Sequence, residues 1–227
     1  MTVAIARFLG SNCDRDCLHI FQEILKEICL FVWHDEFELP ADVTAVVIPG
    51  GFSYGDYLRC GAIAAHRPLM SAVKQFVDQG GPVMGICNGF QILCEAKILP
   101  GVLLPNRHGR FVCNLQEISV SQGGVGIFKN YNDNEKIKLP VAHHDGNYYA
   151  DTATLDCLEK NNQIALRYTS TDEQGHAHVN GSSRGIAGIF GGPKNNVLGL
   201  MPHPERRSEH RLGGDDGLRM LRGLVHR

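Results

Sequence analysis

The 227-residue sequence contains no apolar run that approaches the length of a membrane-spanning helix. It also has no stretch rich in Lys and Arg, and its 22 basic and 24 acidic residues give a formal net charge of −2. Nucleic acid is therefore not an expected partner. Residues 1–10 lack the basic segment and apolar core of a secretory signal. Together these absences predict a cytoplasmic protein that does not bind membranes.

The sequence lacks the cysteine patterns of structural metal sites. It has no Cys-x-x-Cys pair and no Cys/His spacing that fits zinc, so no bound metal is expected. In a cytosol the cysteines are reduced thiols, and most of them should be buried or half-buried. There are eight, at positions 13, 17, 29, 60, 87, 94, 113 and 157.

A nucleotide-binding loop of the G-x-x-x-x-G-K-[ST] type is also absent, and no Gly-Lys dipeptide occurs anywhere in the chain. ATP-dependent chemistry therefore has no evident site here. We expect no cofactor in this chain.

The segments that are present alternate between strand-like and helix-like in the first half. Strand-like segments lie at 2–9, 30–33, 45–48 and 82–86, and helix-like segments lie at 14–29 and 68–79. Ser11 or Asn12 could cap the first helix, and Pro68 suits the first turn of the second. This alternation indicates a mostly parallel sheet covered by helices on both faces.

From about residue 111 the pattern changes to mostly strands. The strand-like segments there are 111–120, 136–141, 147–150, 164–168, 186–190 and 197–201, and only 152–159 and 216–225 look helical. No linker, repeat or low-complexity segment marks a second domain. The sequence therefore predicts one α/β domain, 1–227, with an added antiparallel layer in its second half.

The most informative segment is the end of the apolar strand at 82–86, where Gly85, Cys87 and Gly89 form a Gly-x-Cys-x-Gly motif before a helix-like run. This is the nucleophile-elbow pattern with cysteine as the nucleophile. The glycines allow neighbouring chain to approach a sharp turn, and the start of the helix favours a thiolate. The alternative is a buried cysteine at a helix start with glycines that serve packing alone.

A cysteine nucleophile needs a base, and the base needs an orienting group. His203 and Glu205 follow the strand at 197–201, and prolines on both sides of His203 prevent a helix. In extended chain, residues two apart point the same way, so Glu205 could orient the His203 ring. Other histidines could also be a base or metal ligands, although a structural role suits each of them better: His143, His144, His176 and His178.

A Gly-Gly turn, Gly50 and Gly51, follows the strand at 45–48. Its backbone N–H groups could stabilise the oxyanion of an acyl-transfer intermediate, with the N–H of Asn88 as the second donor. Taken alone, Gly50-Gly51 could equally be a plain tight turn.

These segments resemble the class I, or triad, glutamine amidotransferases. The resemblance rests on Gly85-Ile86-Cys87-Asn88-Gly89-Phe90-Gln91 and on Pro202-His203-Pro204-Glu205. A more specific resemblance, to the glutaminase subunits of phosphoribosylformylglycinamidine synthase, rests on four further stretches. These are PGGFSYGDYLRCGAIA at 49–64, GSNCD at 10–14, PVAH at 140–143 and MPHPER at 201–206.

The resemblance implies a flavodoxin-like sheet and a triad of Cys87, His203 and Glu205, with Gly51 and Gln91 in the glutamine pocket. It also implies that L-glutamine is hydrolysed through a cysteine thioester. The ammonia would pass to a large synthetase subunit, which uses formylglycinamide ribonucleotide and ATP with magnesium in purine biosynthesis, and a small accessory subunit would complete the complex. Some relatives have Gly-Glu where this chain has His144-Asp145, so no role follows for His143, His144 or Asp145.

Two other hypotheses remain. A stand-alone cysteine hydrolase would act on another amide or ester, but Gln91 in its C-x-x-x-Q pattern and the long loop resemblance argue against it. A non-catalytic binding or redox-sensing module would use Cys87 only as a reactive thiol. Such a module has no need of a His-x-Glu pair that faces the same cleft.

Overall fold

The fold is built on a nine-stranded mixed sheet. The computed structural model describes residues 1–121 and 126–226. In chain order the strands of both sheets are β1 (Thr2–Arg7), β2 (Ile28–Trp33), β3 (Val43–Ile48), β4 (Val83–Ile86), β5 (Val102–Leu104), β6 (Val112–Val120), β7 (Lys136–His143), β8 (Asn147–Tyr149), β9 (Ile164–Tyr168), β10 (Ile186–Gly191) and β11 (Val197–Leu200). The sheet order is β2-β1-β3-β4-β11-β10-β9-β6-β7, and β5 pairs with β8 in a second, small sheet.

One half of the large sheet is parallel, as the sequence predicts. Strands β2, β1, β3, β4 and β11 each run parallel to the next in the sheet. All residues of β4 and β11 are buried, and so are nearly all of β1 and β3. A strand covered on both faces needs an apolar or small residue at every position, which explains the uninterrupted sequences VMGI and VLGL.

The antiparallel half continues the same sheet. Beyond β11, the strands β10, β9, β6 and β7 are antiparallel to their neighbours, and β6 pairs with β7 from Val112↔His143 to Ser119↔Lys136. Among the described strands, β5 and β8 alone form a separate antiparallel layer. Strand β11 joins the two halves, because it is parallel to β4 on one side and antiparallel to β10 on the other.

The helices that flank the sheet largely follow the sequence prediction. They are α1 (Asp14–Leu18), α2 (Ala62–Ala65), α3 (Pro68–Asp78), α4 (Asn88–Glu95), α5 (Thr152–Lys160) and α6 (Leu218–Val225). The helices predicted at 68–79 and 152–159 are confirmed, and so is the one after Cys87. Within 1–121 and 126–226, no helix is long and apolar enough to cross a membrane.

The first helix is shorter than the predicted segment 14–29, and the prediction was wrong at its end. After α1 the chain passes into a π-helical turn, His19–Ile24, with Leu25 N donating to Ile20 O at 2.9 Å. Lys26 then takes a left-handed backbone with φ of 59°, which ends the helical run. The apolar Ile28 therefore lies in β2, and its helical spacing from the preceding apolar residues was coincidental.

The predicted cap of this helix was also wrong. The residue before α1 is Cys13, and no side chain caps the first turn. The Ser11 hydroxyl accepts a hydrogen bond from Phe8 N at 3.1 Å, while the Asn12 side-chain oxygen accepts from the Cys13 sulfur at 3.2 Å. Both polar side chains stabilise the loop between β1 and α1.

Phe90 connects α4 to both sheets. Its buried ring stacks on Tyr148 of β8 with centroids 5.8 Å apart and an interplanar angle of 12°. On the β11 side the ring lies against Gly199, where an added Cβ would be only 2.2 Å from a ring carbon and 2.6 Å from the Leu99 side chain. The missing side chain of Gly199 therefore lets α4 approach the sheet closely.

Gly199→Ala should accordingly destabilise the protein by about 1–3 kcal/mol, the usual cost of overpacking a core. Urea unfolding followed by circular dichroism measures this change. Gly109→Ala is the control, because an added Cβ there meets no atom within 4 Å and only its φ of 67° opposes the change. A loss well below about 1 kcal/mol in Gly199→Ala would mean that Phe90 has room to move, whereas the loss in Gly109→Ala measures the backbone strain alone.

Candidate active site

Cys87 lies on a sharp turn between β4 and α4. Its backbone angles are φ 50° and ψ −104°, which is a strained conformation for a residue with a side chain. An added Cβ at Gly89 would be 2.0 Å from Ile48 O, and one at Gly85 would be 2.4 Å from a Leu93 methyl. Both glycines are therefore required by close packing around the turn, as the elbow motif predicts.

The turn is fixed by the neighbouring strand. Cys87 N donates to Leu200 O, the last residue of β11, at 2.7 Å. The sulfur itself is nearly buried, with the side chain 3.7 Å from Ala142 O on β7. Cys87 thus lies at the carboxyl ends of parallel strands, the edge where open α/β sheets bind ligands.

His203 and Glu205 form a buried pair just beyond β11. His203 Nδ1 lies 2.6 Å from Glu205 Oε1, and the two residues are 2% and 1% exposed. His203 has extended backbone angles, but Glu205 lies in a 3₁₀ turn, Pro204–Arg207. The pairing was predicted correctly, whereas the extended backbone assumed for Glu205 was not.

The charge on His203 depends on its neighbours. Burial disfavours the imidazolium, but Glu205 and then Cys87 outweigh burial and raise the pKa of His203 well above its usual range. Because Nδ1 faces Glu205, Nε2 is the ring nitrogen left for the sulfur of Cys87. Among the described residues Nε2 has no hydrogen-bond partner of good geometry.

Gly50 lies between these groups. A Cβ added there would be 2.8 Å from His203 Cε1, 3.1 Å from Cys13 Sγ and 3.5 Å from Cys87 Cβ. The following Gly51 is equally confined, since its Cβ would be 2.6 Å from Gly10 O. The Gly-Gly turn is therefore more than a plain turn, because it brings backbone close to both the Cys87 side chain and the His203 imidazole.

The turn is held by backbone hydrogen bonds from the loop after β1. Asn12 N and Cys13 N donate to Gly50 O at 3.3 and 3.1 Å, and Phe52 N donates to Gly10 O at 2.9 Å. These bonds fix the position of Gly51 N–H relative to Cys87. The segment GSNCD at 10–14, whose role the sequence left open, therefore supports the predicted oxyanion turn.

A series of hydrogen bonds through the side chains of Asn88 and Gln91 runs next to Cys87. Ser53 N donates to Asn88 Oδ1 at 3.2 Å, Asn88 Nδ2 donates to Gln91 Oε1 at 2.8 Å, and Gln91 Nε2 donates to Asp145 O at 2.7 Å. Asn88 was predicted only as a backbone donor, and its side-chain role was missed. These hydrogen bonds connect the glycine turn, the elbow helix and the loop after β7.

His143 is also buried near the site, but its environment differs from that of His203. Its Nδ1 lies 3.0 Å from Asn106 Oδ1, which also accepts from Gly146 N at 3.1 Å. Burial, with His203 adding to it, lowers the pKa of His143 to about 4. His143 is therefore neutral near pH 7 and has no carboxylate partner to orient it as a base.

The remaining candidate histidines are paired on the surface. His144 contacts the Asp145 carboxylate, His176 lies 3.3 Å from Asp172, and His178 lies 2.9 Å from the Ser170 hydroxyl. None of these contacts includes the Cys87 elbow. The positions of these three histidines agree with the structural roles that the sequence analysis favoured for them.

Two further cysteines lie close to the site: Cys60, which the sequence placed in the loop after Gly51 where it could line the same cleft, and Cys13, which the sequence analysis did not single out. Cys60 Sγ donates to Asp145 Oδ2 at 3.1 Å, and burial raises the pKa of its thiol far above the usual range. Cys13 Sγ lies 3.9 Å from His203 Nδ1, and burial raises the pKa of this thiol too. Both are therefore neutral thiols near pH 7, unlike a catalytic cysteine.

Cys13, His203 and Glu205 present potential metal-binding atoms within 4.8 Å of one another. The Arg206 guanidinium donates to the same Cys13 sulfur at 2.9 Å. A second cation there would be repelled, and the thiol would have to lose its proton against a raised pKa. The cluster therefore does not suit a metal ion.

Comparison with known proteins agrees with this geometry. Residues 1–211 match the family described as the CobB/CobQ-like glutamine amidotransferase domain. A Zymomonas mobilis protein named phosphoribosylformylglycinamidine synthase subunit PurQ is 50% identical over 99% of this chain and 98% of its own. A Helicobacter hepaticus protein of the same name is 49% identical over 100% of this chain and 98% of its own.

Two solved structures also superpose on this chain along nearly its whole length. A chain from the structure of PurLQS from Thermotoga maritima superposes with a TM-score of 0.86 at 37% identity, covering 99% of this chain and 97% of that one. The glutaminase domain of Trypanosoma brucei CTPS with bound acivicin superposes with a TM-score of 0.62 at 15% identity, covering 99% and 92%, and shows a shared fold. The match to residues 1–211 and the identity along the whole chain show that the chain belongs to the CobB/CobQ-like glutamine amidotransferase family.

Proposed function

We propose that this chain is the glutaminase subunit of a phosphoribosylformylglycinamidine synthase. It hydrolyses L-glutamine and supplies ammonia to a partner synthetase, which converts formylglycinamide ribonucleotide to formylglycinamidine ribonucleotide in de novo purine biosynthesis. The observation that carries the proposal is the strained Cys87 elbow. It lies beside the buried His203–Glu205 pair, and Gly50 packs against both Cys87 and His203. The whole-chain similarity to proteins of that name supports the choice of pathway.

In the proposed reaction the Cys87 sulfur adds to the side-chain carbonyl carbon of glutamine while His203 Nε2 takes the thiol proton. The C–N bond then breaks, and His203 returns the proton to the leaving nitrogen, which departs as ammonia. A γ-glutamyl thioester remains on Cys87. Water, deprotonated by His203, hydrolyses the thioester to glutamate and restores the thiol. Glu205 orients the ring and stabilises the imidazolium without taking a proton itself.

The backbone N–H groups of Gly51 and Asn88 are the proposed oxyanion donors. The bonds from residues 10–13 to the glycine turn support this role, because catalysis of this kind depends on donors fixed before the reaction. Gln91 is the proposed contact for the bound glutamine. Its side chain bridges Asn88 and Asp145, so substrate binding would be coupled to the loop after β7.

The rest of the assignment concerns partners. ATP and magnesium would bind to the large synthetase subunit, a small accessory subunit would complete the complex, and this chain would need no cofactor or metal of its own. The similarity to a chain in the structure of PurLQS from Thermotoga maritima supports a three-component assembly. We further propose that residues 1–227 form a single domain and that the protein works in the cytoplasm.

The central test is Cys87→Ala. The variant should fold normally and lose glutamine hydrolysis by several orders of magnitude, because the nucleophile is gone. The assembled synthetase should still make product when ammonium salt replaces glutamine. Cys94→Ala is the matched control, since Cys94 is buried on the same helix and should be dispensable for chemistry. Residual glutaminase activity near wild type in Cys87→Ala would refute the proposed nucleophile.

His203→Ala should lower kcat by orders of magnitude, since it removes the group that accepts and returns the proton. Glu205→Gln should cost less, because the amide can still contact the ring although it no longer stabilises the imidazolium. Steady-state glutaminase assays on the assembled complex measure both effects. His143→Ala is the control, and a larger loss there than in His203→Ala would move the base to His143.

A glutamine-analogue electrophile should modify one cysteine, Cys87, with loss of glutaminase activity in proportion to labelling. Cys13, Cys17, Cys60 and Cys94 should resist, because burial raises the pKa of each thiol. Peptide mapping by mass spectrometry identifies the labelled site. Inactivation that followed labelling of Cys60 instead would contradict the assignment, and labelling of Cys87 without any glutaminase activity would favour a redox-sensing module.

A further inference from the structure

The Arg206 guanidinium lies behind the buried His203–Glu205 pair. Its Nε is 3.9 Å from Glu205 Oε1, the oxygen that accepts the hydrogen bond from the His203 ring. The same Nε is 3.6 Å from Asp16 Oδ2 on α1. The Glu205 side chain is fully buried, while those of Arg206 and Asp16 reach solvent. Arg206 thus lies between the buried carboxylate of Glu205 and the exposed carboxylate of Asp16.

Cys13 holds the other end of the guanidinium. Arg206 Nη2 donates to Cys13 Sγ at 2.9 Å, and the sulfur donates to Asn12 Oδ1 at 3.2 Å. Burial raises the pKa of the Cys13 thiol, so the sulfur accepts from Arg206 as a neutral group. A neutral acceptor positions the guanidinium without neutralising it, and the positive charge stays directed at Glu205.

These contacts close a ring of four side chains, because Cys13 Sγ is also 3.9 Å from His203 Nδ1. Within that ring Glu205 Oε2 has no hydrogen-bond partner among the described residues. A buried carboxylate with one bare oxygen is costly to ionise unless a positive charge lies nearby. Arg206 provides that charge, in addition to any proton on His203.

We propose that Arg206, held in place by Cys13, is a positioning residue for the glutaminase reaction: its guanidinium lies beside the Glu205 carboxylate and tunes the interaction of that carboxylate with the His203 ring. The inference rests on the proposed function and extends it, since Arg206 contacts Cys13 and Glu205 and has no observed contact with the sulfur of Cys87. It acts through Glu205 alone.

The expected direction follows from the charges around the pair. Glu205 favours the imidazolium of His203, and a positive charge beside Glu205 weakens that effect. Removing the Arg206 charge should therefore raise the pKa of His203 further. The titratable and charged groups that interact with the pair or with Arg206 come from Cys13 and the α1 helix that follows it, from the elbow, from β7 and from the 3₁₀ turn: Cys13, Asp16, Cys17, Cys87, His143 and Arg206. Of these, Arg206 carries the permanent positive charge.

The test compares Arg206→Gln with Arg206→Lys in the assembled complex. In Arg206→Gln, the limb of the pH–rate profile that reports His203 should move to higher pH by about one unit, the usual scale for one neighbouring charge. At pH 7 kcat should fall by up to about tenfold, because a proton held more tightly is returned more slowly to the leaving nitrogen. KM for glutamine should change little. In Arg206→Lys the limb should stay close to its wild-type position, because the positive charge is retained.

Arg207→Gln is the matched control, because Arg207 is on the same 3₁₀ turn but pairs with Asp216 at 2.7 Å, away from the site. The contact with Cys13 is tested by Cys13→Ala, which should shift the limb in the same direction as Arg206→Gln, and by Cys13→Ser, whose hydroxyl can still accept from Arg206. These two variants decide the matter if Arg206→Gln does not fold.

A readout independent of catalysis is the NMR titration of the His203 ring nitrogens in the full chain. A pKa of His203 that stays unchanged in Arg206→Gln would overturn the inference, and so would a limb that shifts equally in Arg206→Lys and Arg206→Gln. Neither result would affect the proposed function, which fails only if Cys87→Ala retains glutaminase activity. Loss of activity in all Arg206 variants without any shift would indicate a purely structural role and would also overturn it.

Discussion

The left-handed backbone at Cys87 is the constraint on which the rest of the site depends. A conformation of this kind costs on the order of 1–3 kcal/mol for a residue with a side chain and persists only where surrounding structure enforces it. Here it is enforced from two sides, by the Leu200 carbonyl that accepts from Cys87 N and by the contact of Gly89 with Ile48 O. Both contacts require β3, β4 and β11 to be neighbours. The reactive turn is thus held by the parallel half of the sheet rather than by its own local sequence.

The same strand order determines where His203, the proposed base, lies relative to Cys87. Strands β4 and β11 are parallel and in register, with Gly85 opposite Gly199 and Ile86 opposite Leu200. Their carboxyl ends therefore release the chain at the same edge, Cys87 from one and the His203 segment from the other. Gly50 follows β3 at that edge and packs closely against both side chains. Three segments far apart in sequence become neighbours because three parallel strands end together.

The sequence was informative where a requirement is local. The elbow glycines, the apolar strands β4 and β11, and the short His203–Glu205 spacing each leave a pattern that a few adjacent residues carry, and the structure has all three. The helix predicted at 14–29 failed because helical spacing of apolar residues also fits a turn that leads into an edge strand with Ile28 exposed.

Other features could not be read from sequence because they depend on tertiary contacts alone. Asn88 joins Ser53 to Gln91 through its side chain, and Cys13 meets Arg206 from the far end of the chain. Neither residue type is unusual at its position. Cys13 contacts Arg206 because the loop after β1 packs against the turn after β11, and that packing follows from the order of the strands in the sheet.

Two of the buried histidines, His143 and His203, show how partner chemistry, rather than burial alone, decides charge. His143 and His203 are equally inaccessible, each about 2% exposed. Asn106 uses its amide nitrogen on the carbonyls of Arg110 and His143, so its oxygen faces His143 Nδ1 and fixes the proton there. An amide oxygen cannot offset the cost of burying a cation, and the pKa of His143 falls to about 4, whereas the Glu205 carboxylate raises the pKa of His203. A proton on His203 lowers the pKa of His143 further. In the proposed reaction the proton would therefore move only between His203 and the group opposite Nε2, while His143 offers a neutral ring that does not compete for it.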